Sequence, residues 1–350
     1  MPSQAKPNCT FQPSEEIAMS TVEAKSRWTR ILAIAGALIA IPLTPLTFAT
    51  PSYAATAHAV IAVHSTSAYG SVLVVGKGPL SGFPLYEFSG DSGGRFGCGT
   101  KMASGYDLGP SVSVPLTCTG PMSDMLHSVT SDDWPALTSS GTPVAGRGVK
   151  QMLLGTIHRQ GIGDQVTYGG HPLYLFDPWS DPFKPQGERY METVKPLAPW
   201  HGYWFLVSSE SGQPAPGRAT VEVETLPGGK LAVAVVADPN VQPIAVTAYS
   251  YSHDRPGVSV CYGVCSVEWI PVLTTGTPRV TGSIDRHNVG VIRRTNGTDQ
   301  VTYDGMPLYL YSQERVSINH EMRLRTTGSA GNGNGLAGPS GGMFSIIHSG

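Results

Sequence analysis

Charge is scarce in this chain of 350 residues: Lys and Arg number 23 and Asp and Glu 25, together 14% of the sequence, for a net charge of −2. No basic stripe is present, so the electrostatic footprint of a nucleic-acid binder is missing. No long stretch repeats apolar residues at helical spacing either. Common enzyme signatures are absent. There is no Gly-x-Ser-x-Gly elbow, and His320-Glu321 has no second His four residues on, as a zinc-protease helix requires. The Gly-rich stretch at 328–342 lacks the Lys-Ser/Thr of a phosphate cradle and reads as a loop. A chain this poor in charge is also spared much of acid denaturation, which arises from carboxylates paired in the native state. An acidic habitat follows as a weak expectation.

What is plentiful is Gly (42) and Pro (29), the turn formers of an all-β extracellular protein. One phrase is written twice. Residues 164–176 read DQVTYGGHPLYLF and residues 299–311 read DQVTYDGMPLYLY, an offset of 299 − 164 = 135. At that offset Arg159 answers Arg294, Gly155 answers Gly290 and Trp134 answers Trp269. Downstream the register shifts by five, so that Trp204 answers Phe344. Gly169-Gly170 and Asp304-Gly305 are two-residue hairpin turns, because both positions need positive φ. The turn sets Tyr168 opposite His171 and Thr167 opposite Pro172, where proline forfeits no ladder bond. Val166 then faces Leu173 on a core face. Gln165 faces Tyr174 on the other face, where Tyr174 and Phe176 should be half-buried or stacked.

The end of the phrase occurs in four places as Tyr, any residue, an aromatic, two residues and an acid. Tyr86, Phe88 and Asp91 fit it, as do Tyr249, Tyr251 and Asp254; Tyr309, Tyr311 and Glu314 fit with Glu for Asp. Tyr174 and Phe176 are followed by Trp179 instead, with Asp177 and Asp181 beside the expected position. Each module therefore holds two strand–turn half-repeats. The acid falls just past the strand, where it can accept from backbone N–H groups or a Tyr hydroxyl and lock the turn. A ligand or metal role is the minor reading, since isolated carboxylates make poor Ca²⁺ sites.

With Cys261-Tyr-Gly-Val-Cys265 running into Trp269 and Pro271, the chain resembles the bacterial "secreted repeat of unknown function" proteins, predicted lipoproteins with a Tyr-x4-Asp motif. The resemblance spans nearly all of the chain beyond the leader. It implies secretion and tandem architecture but no reaction. In that motif Cys261 and Cys265 are expected to pair. Cys118-Thr-Gly120 matches its start, the second Cys gives way to an insertion reaching Asp132, and Cys98 is left as partner for Cys118. Disulfides suit an oxidising compartment.

Residues 1–57 read as an N-terminal extension and signal peptide. An apolar run at 31–49 follows Lys25, Arg27 and Arg30 and ends before small residues at 52–57. The run is short and broken by Pro42 and Pro45, so no membrane span is expected after cleavage. No Cys follows it, which removes the lipid attachment expected of lipoprotein relatives. Modules at 58–212 and 213–350 fill the remainder. The first-module insertion carries Met122, Met125 and His127, a spacing that could hold copper, although methionines covering core under a long loop is the blander reading. The expectation is thus an all-β, non-enzymatic, secreted or cell-envelope protein with no cofactor, built as small sheets, a barrel or a propeller-like ring. Its partner would be an extracellular or envelope ligand. The alternative is extracellular redox or copper handling.

Overall fold

A computed structural model describes residues 58–92, 94–99, 103–107, 113–116, 118–120, 134–176, 181–191, 201–237, 239–240, 243–314, 316–318, 324–326 and 330–349. Residues 1–57, where a signal peptide is expected, and the insertion with Met122, Met125 and His127 lie outside them. The described residues belong to one compact unit and are nearly all β. Their sheets are small and open; none of those described closes into a barrel.

The second copy shows the plan most completely. Thr220–Thr225, Leu231–Ala237 and Ile244–Tyr251 run as an antiparallel meander. Arg279–Val280 adds in parallel to the outer strand. Tyr309–Tyr311 and Phe344–Ile346 both pair with Ile244–Tyr251, and Trp269–Pro271 closes the order beside Tyr309–Tyr311. The first copy repeats this order in shorter pieces. Val60–Thr66 pairs with Gly70–Val75 and, in parallel, with Val144–Ala145, while Tyr86–Phe88 pairs with Trp204–Leu206. Single bridges from Val74 to Pro84 and from Tyr174 to Tyr86 and Ala136 stand where the second copy has full ladders.

The hairpin of the repeated phrase forms in both copies with the expected register: Thr167 opposite Pro172 and Tyr168 opposite His171, then Thr302 opposite Pro307 and Tyr303 opposite Met306. All four turn residues have positive φ (60° and 87° at Gly169 and Gly170, 48° and 77° at Asp304 and Gly305). Beyond the proline the outcome differs from a plain hairpin. Tyr174 leaves Gln165 and bonds Tyr86 through both backbone groups, Tyr174 N–H to Tyr86 O at 2.9 Å and Tyr86 N–H to Tyr174 O at 3.0 Å. The strand end crosses into the other sheet and has core on both faces. Leu173 and Leu175 pack with Val166, Leu85 and Val207, while Tyr174 and Phe176 pack with Trp134, Trp204 and Tyr86. The aromatic face is therefore fully buried, not half-buried. A strand covered on both sides reads as a continuous apolar run.

The two copies share core as well. Met191, Tyr203 and Phe205 of the first pack in one cluster with Val221, Val233 and Val235 of the second. The guanidinium of Arg189 reaches across to the carbonyls of Gly217 and Leu273, each at 2.7 Å.

Candidate functional site

The repeat motifs converge on one buried polar centre in each copy. In the second, the Tyr309 hydroxyl donates to Asp254 at 2.6 Å and touches the hydroxyl of Ser259 at 2.8 Å. The other oxygen of Asp254 accepts from the N–H of Val260. Tyr249 donates to Glu314 at 2.5 Å, and Glu314 also accepts from the N–H of Gly331. The acid of each half-repeat thus serves the tyrosine of the other.

Arg294 lies on the Asp254–Tyr309 side and shares Ser259 with Tyr309. Its guanidinium donates to Gln300, to Ser259 at 2.7 Å and to the carbonyl of Cys261 at 2.7 Å, and it lies 4.1 Å from the ring centre of Tyr262. Gln300 in turn donates to the carbonyl of Leu308. The disulfide Cys261–Cys265 fixes the loop that presents this Cys carbonyl.

The first copy rebuilds the same centre. Tyr174 donates to Asp91 at 2.7 Å, and the other Asp91 oxygen accepts from the N–H groups of Gly97 and Cys98. Arg159 donates to Gln165, Tyr174 and the carbonyl of Cys98, and stacks 4.0 Å over Phe96. The disulfide Cys98–Cys118 stands in for the shorter loop. Both expected pairings are formed. The fourth position differs: Asp177 lies outside the described residues, Asp181 is exposed and pairs with Lys184, and among the described residues the Tyr86 hydroxyl accepts from the N–H of Gly187 at 3.2 Å.

Stacked rings wall off each centre. Trp134 lies on Trp204 at 3.8 Å, and Trp269 lies on Phe344 at 3.7 Å. Tyr174 and Tyr309 meet these stacks edge-on at 5.0 and 5.4 Å. Phe88, Phe176, Tyr251 and Tyr311 complete the walls, and all four are buried.

Burial dominates the electrostatics. It pushes the Glu314 carboxyl up to about 7 and Asp91 to about 6, with the Tyr hydroxyls and backbone N–H groups holding both back, and it raises Asp254 as well. The tyrosines Tyr174, Tyr249 and Tyr309 are raised by the same cause, so their phenols keep their protons and donate. Arg294 is lowered by burial. Two more buried acids lie in the first copy, Glu87 at about 7 and Glu188 at about 8, both raised by burial. Each Tyr–acid hydrogen bond ties the strand of one half-repeat to the end of the other. The hydroxyls of Tyr174, Tyr249 and Tyr309 and the carboxylates of Asp91, Asp254 and Glu314 are taken up by the protein's own groups, whereas Nε of Arg294 has no partner.

Residues 290–314 match the family model described as a secreted repeat of unknown function.

The matched stretch contains Arg294, Gln300, Tyr309, Tyr311 and Glu314, so the secreted repeat coincides with the polar centre's second half. The match lies in the last copy and does not extend over nearly the whole chain. The corresponding stretch of the first copy carries Trp179 where Glu314 stands, so the copies differ at a position the centre uses. No curated protein and no solved structure matches the chain. The family is described as secreted, and the two disulfides suit an oxidising compartment.

Among the described residues no three His, Cys, Asp or Glu side chains gather as a metal site would require. No described helix is long and apolar enough to cross a membrane. A cavity of 20 Å³ between the copies, lined by Arg189, Tyr203, Phe205 and Leu273, has room for about one water.

Arg159, Arg294, Gln165, Gln300, Ser259 and Glu188 were not singled out from the sequence as centre residues. The signal for four of them was present, since Arg and Gln recur at the offset of the repeat. Polar residues that recur inside a strand pattern call for a buried partner.

Proposed function

We propose that this is a secreted, non-enzymatic scaffold of two modules, 58–212 and 213–350. In this reading it holds an envelope component or extracellular ligand on surfaces outside the repeat motif. The observation that carries the reading is the internal use of the motif. Tyr174, Tyr249 and Tyr309 are buried and spend their hydroxyls on Asp91, Glu314 and Asp254 of their own fold. Groups committed in this way stabilise strands and are not free to meet a substrate.

The test is capture. Purified mature protein is incubated with envelopes and with culture medium of the source cells, and complexes are recovered after a high-salt wash. Retention of a component, equal for wild type and for Tyr174→Phe and Tyr309→Phe, supports the scaffold. Failure to associate with either fraction removes it. Copper analysis of the same preparation separates the copper-handling reading, which requires stoichiometric metal lost on substituting Met122, Met125 and His127.

A further inference from the structure

A row of side-chain contacts crosses the joint between the copies, and its donors all point the same way. Thr298 donates to Oδ1 of Asn296 from its backbone N–H at 3.2 Å and from its hydroxyl at 2.8 Å. Those two donors fix the Asn296 amide, whose Nδ2 donates to Oε1 of Gln213 at 3.1 Å. The amide nitrogen of Gln213 is then turned toward Nε2 of His171, 3.5 Å away. Nδ1 of His171 lies 3.5 Å from Oε2 of Glu87, a buried carboxylate oxygen with no hydrogen-bond partner.

An amide nitrogen only donates, so Nε2 of His171 must accept and the ring proton sits on Nδ1, facing Glu87. Lys150 bonds the carbonyl of Glu210 and Arg293 pairs with Asp299 beside the two ends of this row. Glu87 feels His171 and Asp91, and Glu188 feels Glu87 in turn. The second copy lacks the arrangement. On the alignment of Tyr86 with Tyr249, Ser250 takes the place of Glu87. On that of Tyr174 with Tyr309, Met306 takes the place of His171. Both members of the pair are replaced together.

We propose that Glu87, His171, Gln213 and Asn296 form a proton-operated catch on the joint, closed while His171 is neutral and released when it becomes an imidazolium. A proton taken from water onto Nε2 sets an N–H against the N–H₂ of Gln213, donor against donor. Gln213 can turn its amide over, but it then presents N–H₂ to Nδ2 of Asn296. Asn296 cannot follow without dropping both donors from Thr298. One link breaks, at His171–Gln213 or at Gln213–Asn296, and either break severs the row that runs from His171 of the first copy to Asn296 of the second.

Hydrogen exchange of segments 208–214 and 294–298, corrected for intrinsic rates, reads the joint as the solution is acidified. Exchange should quicken about fivefold on acidification, the worth of one hydrogen bond. Nitrogen NMR should find the neutral ring as its Nδ1–H tautomer. His171→Met, the residue of the second copy, should abolish the pH dependence; if that variant does not fold, His171→Gln takes its place. Gln213→Glu accepts from an imidazolium, so acid should then slow exchange. An Nε2–H tautomer, a wild-type pH profile in the His171 variant, or an unchanged sign in Gln213→Glu each overturns the proposal.

Discussion

Tyr309 donates its hydroxyl hydrogen bond to Asp254, at 2.6 Å and 55 residues away in sequence. Tyr249, five residues before Asp254, gives its own to Glu314, five residues after Tyr309. The four side chains form a crossed pair of clasps. Each clasp holds the end of one half-repeat to the strand of the other.

The first prediction concerns the ring and the hydroxyl separately. Tyr309→Ala removes a fully buried ring and should cost about 3–5 kcal/mol. Tyr309→Phe keeps the ring but takes the donor from one Asp254 oxygen, a loss of about 1.5–3 kcal/mol for a bond to a charged group. Urea unfolding measures both. Ala and Phe variants of equal stability would mean the ring packs against nothing that matters.

Acid should stabilise this protein. Burial raises Glu87 and Glu314 to about 7 and Glu188 to about 8, whereas an unfolded chain returns them to about 4.3. Between those limits the folded state binds more protons than the unfolded state, so stability falls as pH rises from about 4.3 through about 8. The melting temperature should therefore climb on going from pH 8 to pH 5. Glu188→Gln can still accept from the N–H of Leu206, so it should flatten the climb. It should leave stability near wild type at pH 5 and raise it by about 1–3 kcal/mol at pH 8. A wild-type melting temperature that falls on acidification contradicts this. Release of the His171 catch is a local event, visible in exchange and not in the global melt.

Gly187 and Gly333 do the same work in the two copies, each presenting its N–H to a tyrosine hydroxyl and its bare Cα to an indole. A methyl group at Gly187 would lie 2.5 Å from the ring of Trp134, and one at Gly333 would lie 2.9 Å from that of Trp269. Gly187→Ala should cost about 1–3 kcal/mol by overpacking, and Gly333→Ala less. The order of the two denaturation midpoints is the check.

The disulfides should contribute unequally. Cys98–Cys118 closes a separation of 20 residues and Cys261–Cys265 a separation of 4. Chain-entropy reasoning gives about 3 and about 2 kcal/mol respectively. Cys→Ser pairs, unfolded beside wild type, measure the difference. Equal losses would place the benefit in the fixed Cys carbonyls that Arg159 and Arg294 use.

The hairpins could be read directly, because Gly169-Gly170 and Asp304-Gly305 demand a backbone few residue pairs adopt. Burial of Tyr174 could not. In Leu173-Tyr174-Leu175-Phe176 every position is apolar, so alternation carries no sign of which face is wet. The partners of the acids were equally hidden. Asp91 sits five residues from Tyr86 yet serves Tyr174, a contact across 83 residues that local spacing does not encode. Glu87 and Glu188 belong to neither repeat register, and only the packing around them reveals their role.

The crossed clasps also bear on how such a chain can grow or be cut. A fragment ending soon after Asp254 would contain Tyr249 without Glu314 and Asp254 without Tyr309. Two polar groups per fragment would lose their mates in the same stroke. A half-repeat is therefore not a heritable unit: a recombination event that duplicates or deletes one strands its polar groups, whereas one that moves both halves together carries a finished lock. Arrays of this kind should lengthen only in whole modules, and a library of truncations should yield soluble protein only at breakpoints that respect that step.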